Sequence, residues 1–595
     1  MKKYAVLLAA LAVLSAPFFA AQAGPDPKKG LEPFTYKENF ETNELSAWAS
    51  YPLWQDTAFD PNMRPNTIVP GDPNISLVER VTPYTHVDNY AGAQKLLDMV
   101  FLEDSVIRLR AYLKTELKPE FLKVRLAAGP DGAVDFTVAA PPANTWHEVS
   151  VRYQDFVREN PGLKGRPIKV NALAVLAKFP LADPAMPIYF GLDDVVFEGA
   201  RPAHFQFAAP KMHKLSEWKP YIPDAHYKKG DTLTLEGKWP LAVDRVDLTV
   251  TDFTKKSTAA LRGALRGQAG AWTGTLKLNL PEGLYLGTLT AYAGREKIAA
   301  TEFTVFIEPP GLAGKHPRLR YDASTIGAVK ARLAEPRFQK VRENLLKRAK
   351  DSRTSDPVDK LVFDVDCFPD DEPLIGNVPR SLPGWSGLRV RAWREALNSN
   401  ALAYALLGDE EAGKYAKDYL VKFCEFPFWV HPWWEKRGQH IYYPVGELGM
   451  DAALGYDLVY DLLDEPGRKI VRDGLWRNVI AGCHRSYVQD NLVTSSTSNW
   501  AAHITSGSLM AMASTFADGA GDVETEPYLT GALLKLHKVI EKSSGRDGGY
   551  GESYGYCSFT MLSLAKSLPA LANVFDIDFS GTLDRTYQDV PWSMC

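Results

Sequence analysis

The chain has 595 residues, with 68 Lys and Arg against 72 Asp and Glu and a formal net charge of −4. At about 100–200 residues per domain that length excludes a single hydrophobic core, and a content of 45% hydrophobic and 24% charged residues excludes a disordered or collagen-like chain. The near-neutral balance provides no basic field for a phosphate backbone, so nucleic acid is not an expected partner, while 11% aromatic residues supply rings for sugar stacking as well as for core packing.

The chain opens with the pattern of an export signal. Lys2 and Lys3 precede an apolar run from Ala5 to about Ala16, and Ala21-Gln22-Ala23 supplies small residues before Gly24. Residues 1–23 are therefore expected to be removed after Ala23, giving a secreted or periplasmic protein. No later stretch reaches the roughly 18 uninterrupted apolar residues of a membrane span, so no membrane association is expected after cleavage. Cys367, Cys424, Cys483, Cys557 and Cys595 are odd in number and lack CxxC spacing. That argues against a disulfide framework and a zinc or redox pair, and leaves one or two isolated disulfides open.

Residues 31–201 read as strands. Ile107, Leu109, Ala111 and Leu113 alternate with Arg108, Arg110 and Tyr112, Val149 and Val151 alternate with Ser150 and Arg152, and turn residues such as Gly129-Pro130-Asp131-Gly132 separate such runs. The segment from Asn39-Phe40-Glu41-Thr42 to Trp48, and the closing Tyr189-Phe190-Gly191-Leu192-Asp193-Asp194-Val195, resemble the first and last strands of jelly-roll modules of the carbohydrate-binding type. Sugar binding and a plain spacer role both stay open, because fold alone does not establish function.

A second β unit spans 202–310. Thr232–Leu235, Val246–Val250, Trp272–Leu276 and Phe303–Phe306 are short strands at the spacing of an immunoglobulin-like sandwich. Glu308-Pro309-Pro310-Gly311 continues neither strand nor helix, which puts a domain boundary there.

From 311 to 595 the period becomes helical. Trp393, Ala396, Leu397, Asn400, Ala401 and Tyr404 follow the 3.6-residue rule, as do Leu448, Ala452, Gly455, Val459 and Leu462. Further helices are expected at about 323–349, 410–423, 468–487, 499–515, 527–542 and 557–574, with stops at Gly408-Asp409 and Asp464-Glu465-Pro466. Serial helical hairpins either close into a ring or stack as a solenoid, and periodicity does not choose.

His316-Pro317-Arg318-Leu319 with the following Val329–Leu333 helix is similar to the entry of the catalytic domain of heparinase II/III-like polysaccharide lyases. Ala405–Glu410, Ala452–Leu458, and Ser498-Asn499-Trp500 followed about fifty residues later by Asp547-Gly548-Gly549-Tyr550-Gly551-Glu552 agree in order and spacing. The resemblance covers about residues 312–575. It implies an all-α, incomplete (α/α) toroid that cleaves acidic polysaccharide by elimination. Two departures stand out. Family members often carry His directly after that Asn, where this chain has Trp500, with the next imidazole at His503. Relatives also continue into a β-sandwich that closes the cleft, whereas this chain stops at Trp592-Ser593-Met594-Cys595, so a fragment is expected. No cofactor is expected, and a structural metal in that further domain stays open.

Elimination from a uronate removes the proton on C5, which is acidic only when the neighbouring carboxylate is neutralised. It therefore needs a carboxylate clamp, a base at C5 and an acid at the departing O4. Asn499 and His503 are four apart and share one helix face, which suits a clamp; the plain alternative is a helix cap and a hydrogen-bonded interior histidine. Tyr550, Tyr554 and Tyr556 lie in a glycine-rich stretch, and Tyr556 matches the family's Glu-x-x-x-Tyr spacing from Glu552, with Tyr554 second. A free phenol titrates near 10, so phenoxide chemistry needs a cation such as Arg546 or His503 beside it. Glu552 orients the tyrosine or histidine in this reading. In a rival reading it pairs with Asp547 or Glu447 as the carboxylates of a toroidal glycoside hydrolase. Trp385, Arg389, Arg391, Trp434, His440, Trp500 and Arg546 are rings and cations suited to an anionic sugar, or to packing between helices. Neither a phosphate-cradling glycine loop, a HExxH pair nor a serine nucleophile elbow occurs. The expected partner is an acidic, uronate-containing polysaccharide; a non-catalytic carbohydrate-binding protein stays open because of Trp500.

Export predicts a mature chain that starts at Gly24. N-terminal sequencing of secreted material checks this, and a product beginning at Met1 contradicts it.

Overall fold

The computed structural model describes residues 28–42, 48–51, 63–81, 90–128, 132–179, 188–208, 212–213, 222–223, 226–253, 259–268, 270–363, 374–375, 378–435, 441–484, 499–519, 526–542 and 554–579. The signal segment lies outside them. Antiparallel β-sheets form the N-terminal half and helices the C-terminal half, and no helix among the described residues is long and apolar enough to cross a membrane.

The first module is built from β1 (Leu31–Glu38), β2 (Ala49–Ser50), β3 (Met63–Asn66), β4 (Ser76–Val81), β5 (Tyr90–Phe101), β6 (Val106–Lys114), β7 (Phe121–Ala127), β8 (Ala133–Ala139), β9 (Trp146–Arg152), β10 (Ile168–Lys178) and β11 (Ile188–Pro202). In one layer β11 runs between β4 and β1 on one side and β6 on the other, with β9 beyond β6; in the second, β2, β5, β10, β7 and β8 follow one another. Alternation explains the layering. Ile107, Leu109, Ala111 and Leu113 of β6 are buried while Arg108 faces solvent. Phe101 stands edge-on to Phe197 at 5.3 Å and to Phe156 of α1 (Tyr153–Glu159) at 5.5 Å. Each such ring contributes about 1.5–3 kcal/mol by leaving water. The expected first strand at Asn39 is displaced: Phe40 takes a φ of 56°, a left-handed conformation that a strand does not accommodate, so β1 ends at Glu38 and the chain turns.

The second module comprises β12 (Gln206–Phe207), β13 (Met212–His213), β14 (Ile222–Pro223), β15 (His226–Tyr227), β16 (Thr232–Lys238), β17 (Arg245–Asp252), β18 (Ala259–Gln268), β19 (Ala271–Lys277), β20 (Gly283–Ala293) and β21 (Glu296–Ile307). The long β18 belongs to both layers, pairing with β19 in one and β17 in the other. This module docks on the helices through Phe306, which meets Phe516 at 6.1 Å and Phe575 at 5.6 Å.

The helical half contains α2 (Ala323–Ala334), α3 (Gln339–Ser355), α4 (Arg391–Leu407), α5 (Glu410–Cys424), α6 (Tyr443–Val459), α7 (Glu465–Leu475), α8 (Asn499–Thr515), α9 (Glu526–Lys542) and α10 (Tyr554–Phe575). The single helix expected at 323–349 is two, because Pro336 has no N–H to continue α2 and opens a short 3₁₀ turn instead. Gly408 closes α4 with φ 72°, and Asp409 caps α5 by accepting from Ala412 N at 3.0 Å. The spacing from 468 gives α7, which continues through a π-helical turn, Trp476–Ile480.

Contacts fix the direction of the inner helices. Arg394 meets Glu447 and Asp451 while Tyr404 meets Asp461, so α4 and α6 run parallel. His503 meets Ser563 and Ser506 meets Ser567, so α8 and α10 do as well. Gly446 lies against His503 and Gly507, while Tyr456 reaches Asp518, which adds α6 to α8. All four N-termini therefore gather at one end of an arc, and the β module covers the other end.

That other end is locked by the segment entering α2. Asp457 accepts from the backbone of Arg318 and Leu319 at 2.9 Å and from Nδ1 of His316 at 2.7 Å. Asp518 meets the other imidazole nitrogen at 2.9 Å and the Arg318 guanidinium at 2.9 Å, and the His316 ring stacks on Tyr460 at 3.8 Å. With both carboxylates fully buried, losing one partner strands the rest. Asp457→Ala should cost about 3–5 kcal/mol. Glu395→Gln, which breaks only the exposed pair with Arg348, should cost under about 1 kcal/mol. Urea unfolding followed by helical circular dichroism checks the contrast, and equal midpoints would remove the clamp from the stability argument.

Candidate active site

At the N-terminal end, α4, α6, α8 and α10 surround a polar cluster. Arg394 of α4 donates through Nε to Asp451 at 2.8 Å and through Nη1 to Glu447. Lys566 of α10 donates to the other oxygen of Asp451 at 2.6 Å. Two cations and two carboxylates thus cancel, with Asp451 only 2% exposed and the cations about one quarter exposed towards the cleft. Burial pushes the Glu447 carboxyl above its ordinary range; Asp451 adds to this, while Arg394 and Lys566 oppose it.

Behind this cluster lies His503. Its Nδ1 meets the Ser563 hydroxyl and lies 3.8 Å from Glu447, Phe559 stands against the ring at 4.6 Å, and Nε2 has no hydrogen-bond partner among the described residues. The ring is wholly buried, and burial, reinforced by the charges of Arg394 and Lys566, pushes its pKa down to about 3. His503 is therefore neutral.

An aromatic wall rises above the histidine. Tyr443, the first residue of α6, lies 6.1 Å from the His503 ring and 5.2 Å from Trp500, and Tyr442 lies 5.1 Å from Trp500. Tyr443 and Trp500 are half-buried, while Tyr556 in the first turn of α10 is 52% exposed. Asn499, one turn before His503 on the same face of α8, is buried.

Asn499, Trp500 and His503 lie in the first turns of α8, with Tyr443 against the rings of Trp500 and His503, while Tyr556 lies exposed in the first turn of α10. The structure places the backbone of Tyr554 at the start of α10; the side chain of Tyr554, and Glu552, Arg546, Asp547, Tyr550 and His440, lie outside the described residues. Arg391 is exposed at the start of α4, and Arg389 is half-buried in the π-helical turn before it. Trp385 and Trp434 sit in the helical core, 4% exposed and edge-on or stacked against Tyr442, so neither offers a face to a polymer. Sequence reading passed over Tyr443, Arg394, Asp451, Ser563 and Lys566. Lone charges in otherwise apolar helices were the available signal, because a buried charge requires a partner. Among the described residues no three His, Cys, Asp or Glu side chains are grouped to hold a metal ion.

No family model matches the chain, and no curated protein matches it. Among solved structures, similarity is found to the carbohydrate-binding module TmCBM61 in complex with β-1,4-galactotriose, at 13% identity and TM-score 0.17, covering 27% of this chain and 94% of that one. A β-1,2-glucanase from Parabacteroides distasonis gives 11% identity and TM-score 0.19, covering 84% of this chain and 69% of that one. A pullulanase from Bacillus acidopullulyticus gives 9% identity and TM-score 0.12, covering 40% and 39%. Scores this low carry no argument about this chain, and the heparinase II/III resemblance has no matching family model behind it.

The state of His503 predicts a pH effect. Unfolded, an imidazole takes up a proton near pH 6.5, while the folded chain refuses it down to about pH 3. The unfolded state binds more protons across that window, so stability falls as pH drops from about 6.5. Between pH 7 and pH 4 wild type should lose about 3 kcal/mol more than His503→Gln, measured by denaturant unfolding at each pH. Parallel losses in both proteins would mean that the folded imidazole titrates normally.

Proposed function

We propose that this chain is a glycan-processing enzyme, exported after removal of residues 1–23, that cleaves a uronate-containing polysaccharide by β-elimination at the mouth formed by α4, α6, α8 and α10. The observation that carries this reading is the division of polar groups at that mouth. Glu447 and Asp451 are tied to Arg394 and Lys566, His503 is neutral, and the phenol of Tyr556 stands open in the first turn of α10.

In this reading the uronate enters past the exposed Arg391, and the amide of Asn499, buried at the start of α8, polarises its carboxylate from beneath rather than by open contact. Tyr556 is the group assigned to take the C5 proton. His503 cannot touch a polymer from its buried position, so its part is to hold the floor under Asn499 through Ser563 and Phe559. Trp500 serves as a sugar platform.

A hydrolase is the second reading, favoured by one observation: the raised Glu447 carboxyl would suit a general acid. Product chemistry separates the two. Elimination leaves a C4–C5 double bond that absorbs in the ultraviolet, whereas hydrolysis in heavy-oxygen water adds label at the cleaved bond and no unsaturation. Unsaturated product from a panel of uronate polysaccharides is expected. Tyr556→Phe should lower turnover by about 10²-fold or more with substrate affinity kept, and Asn499→Ala should cost about 3 kcal/mol of transition-state stabilisation. Labelled, saturated ends would establish hydrolysis instead.

A further inference from the structure

We propose that Tyr443 is a second catalytic residue of this site, the acid that protonates the departing O4; this assignment rests on the elimination reading above. Tyr443 opens α6 at the same end at which Tyr556 lies in the first turn of α10, and Phe559, one turn after Tyr556, packs against the Tyr443 ring at 6.1 Å. Its ring is held on four sides, by Trp500 at 5.2 Å, Tyr442 at 4.7 Å, Phe559 at 6.1 Å and His503 at 6.1 Å, yet it stays partly exposed where Asn499 and His503 do not. Its neighbours Tyr442 and Ser386 also carry hydroxyls, so the ring's surroundings are partly polar. A tyrosine that served only to fill space would not need to keep an exposed face at this end of the helices.

Chemistry assigns the role. Burial, and the nearby charge of Glu447, hold the Tyr443 phenol above its ordinary value, so it carries its proton at neutral pH and suits donation. In the step, the base takes the C5 proton and the electron pair of that bond becomes the C4–C5 double bond. The C4–O4 bond breaks with its pair on O4, and the Tyr443 proton passes to O4. Solvent then reprotonates the partly exposed Tyr443 and removes the proton from the base, so the protein returns unchanged.

The test uses Tyr443→Phe and Tyr556→Phe of the full chain on two substrates: a uronate polysaccharide that wild type degrades, and a synthetic uronide carrying an aryl ether at C4. An aryloxide leaves without an acid, so only loss of the acid is relieved on it. Tyr443→Phe should lose about 10²-fold or more in kcat on the polysaccharide, with KM little changed, and come within a few-fold of wild type on the aryl ether. Tyr556→Phe should be impaired on both. Full activity of Tyr443→Phe on the polysaccharide, or equal impairment on both substrates, overturns the assignment while the elimination reading stands. If wild type yields no unsaturated product from any uronate, the elimination reading fails and Tyr443 falls with it.

Discussion

Two glycines bring α6 and α8 together backbone to backbone, and the site depends on that approach. A Cβ on Gly507 would lie 2.3 Å from the carbonyl oxygen of Gly446, and one on Gly446 would lie 2.5 Å from the carbonyl oxygen of His503. Each glycine inside a helix costs about 1 kcal/mol relative to alanine. The cost is offset by register. With the helices this close, Glu447 stands 3.8 Å from His503 at one end, while Tyr456 reaches Asp518 at the other. Alanine at either position would push the helices apart and loosen both ends at once.

Stability and reactivity are divided between those ends. The C-terminal end of the inner helices carries the clamp of His316, Arg318, Asp457 and Asp518, and the aromatic seam of Phe306, Phe516 and Phe575 onto the β module. The acids at that end would oppose the helix dipoles, and the Arg318 guanidinium on Asp518 offsets part of that charge. At the N-terminal end the side-chain charges of Arg394 and Lys566 are matched by those of Glu447 and Asp451, and Arg391 stands exposed.

Local patterns made most of the architecture legible. The period-two alternation of Ile107 to Leu113 and the helical spacing of Trp393 to Tyr404 are properties of adjacent turns, and the buried faces follow them. Phe40 could not be read, since a left-handed phenylalanine has no sequence mark. Pro336 could have been, because its missing N–H is written in the sequence. Within the site, Asn499 and His503 were legible as an i, i+4 pair. The pairing of Asp451 with Arg394 and Lys566 was not, as the partners lie 57 and 115 positions away and only the tertiary fold joins them. Trp385 and Trp434 show the opposite error: an aromatic-rich stretch reads alike whether its rings meet sugar or each other, and these two meet Tyr442.

The tryptophan that follows Asn499 changes what the site must do. An imidazole at that position would stand beside Tyr442 and Tyr443, where the half-buried indole of Trp500 now packs edge-on to the one and tilted against the other at 5.1–5.2 Å. The histidine this chain has instead lies almost one turn deeper, closed off by Phe559 and Ser563, and the cost of burying charge keeps it neutral. In the proposed elimination reading, neutralising a uronate carboxylate therefore cannot fall to an imidazolium and is assigned to the uncharged donor Asn499 and the exposed cation Arg391. Donors of this kind act by fixed orientation rather than by titration, so carboxylate neutralisation in such a site should vary little across the pH range where histidine normally changes charge, and the pH dependence of turnover is left to the phenols.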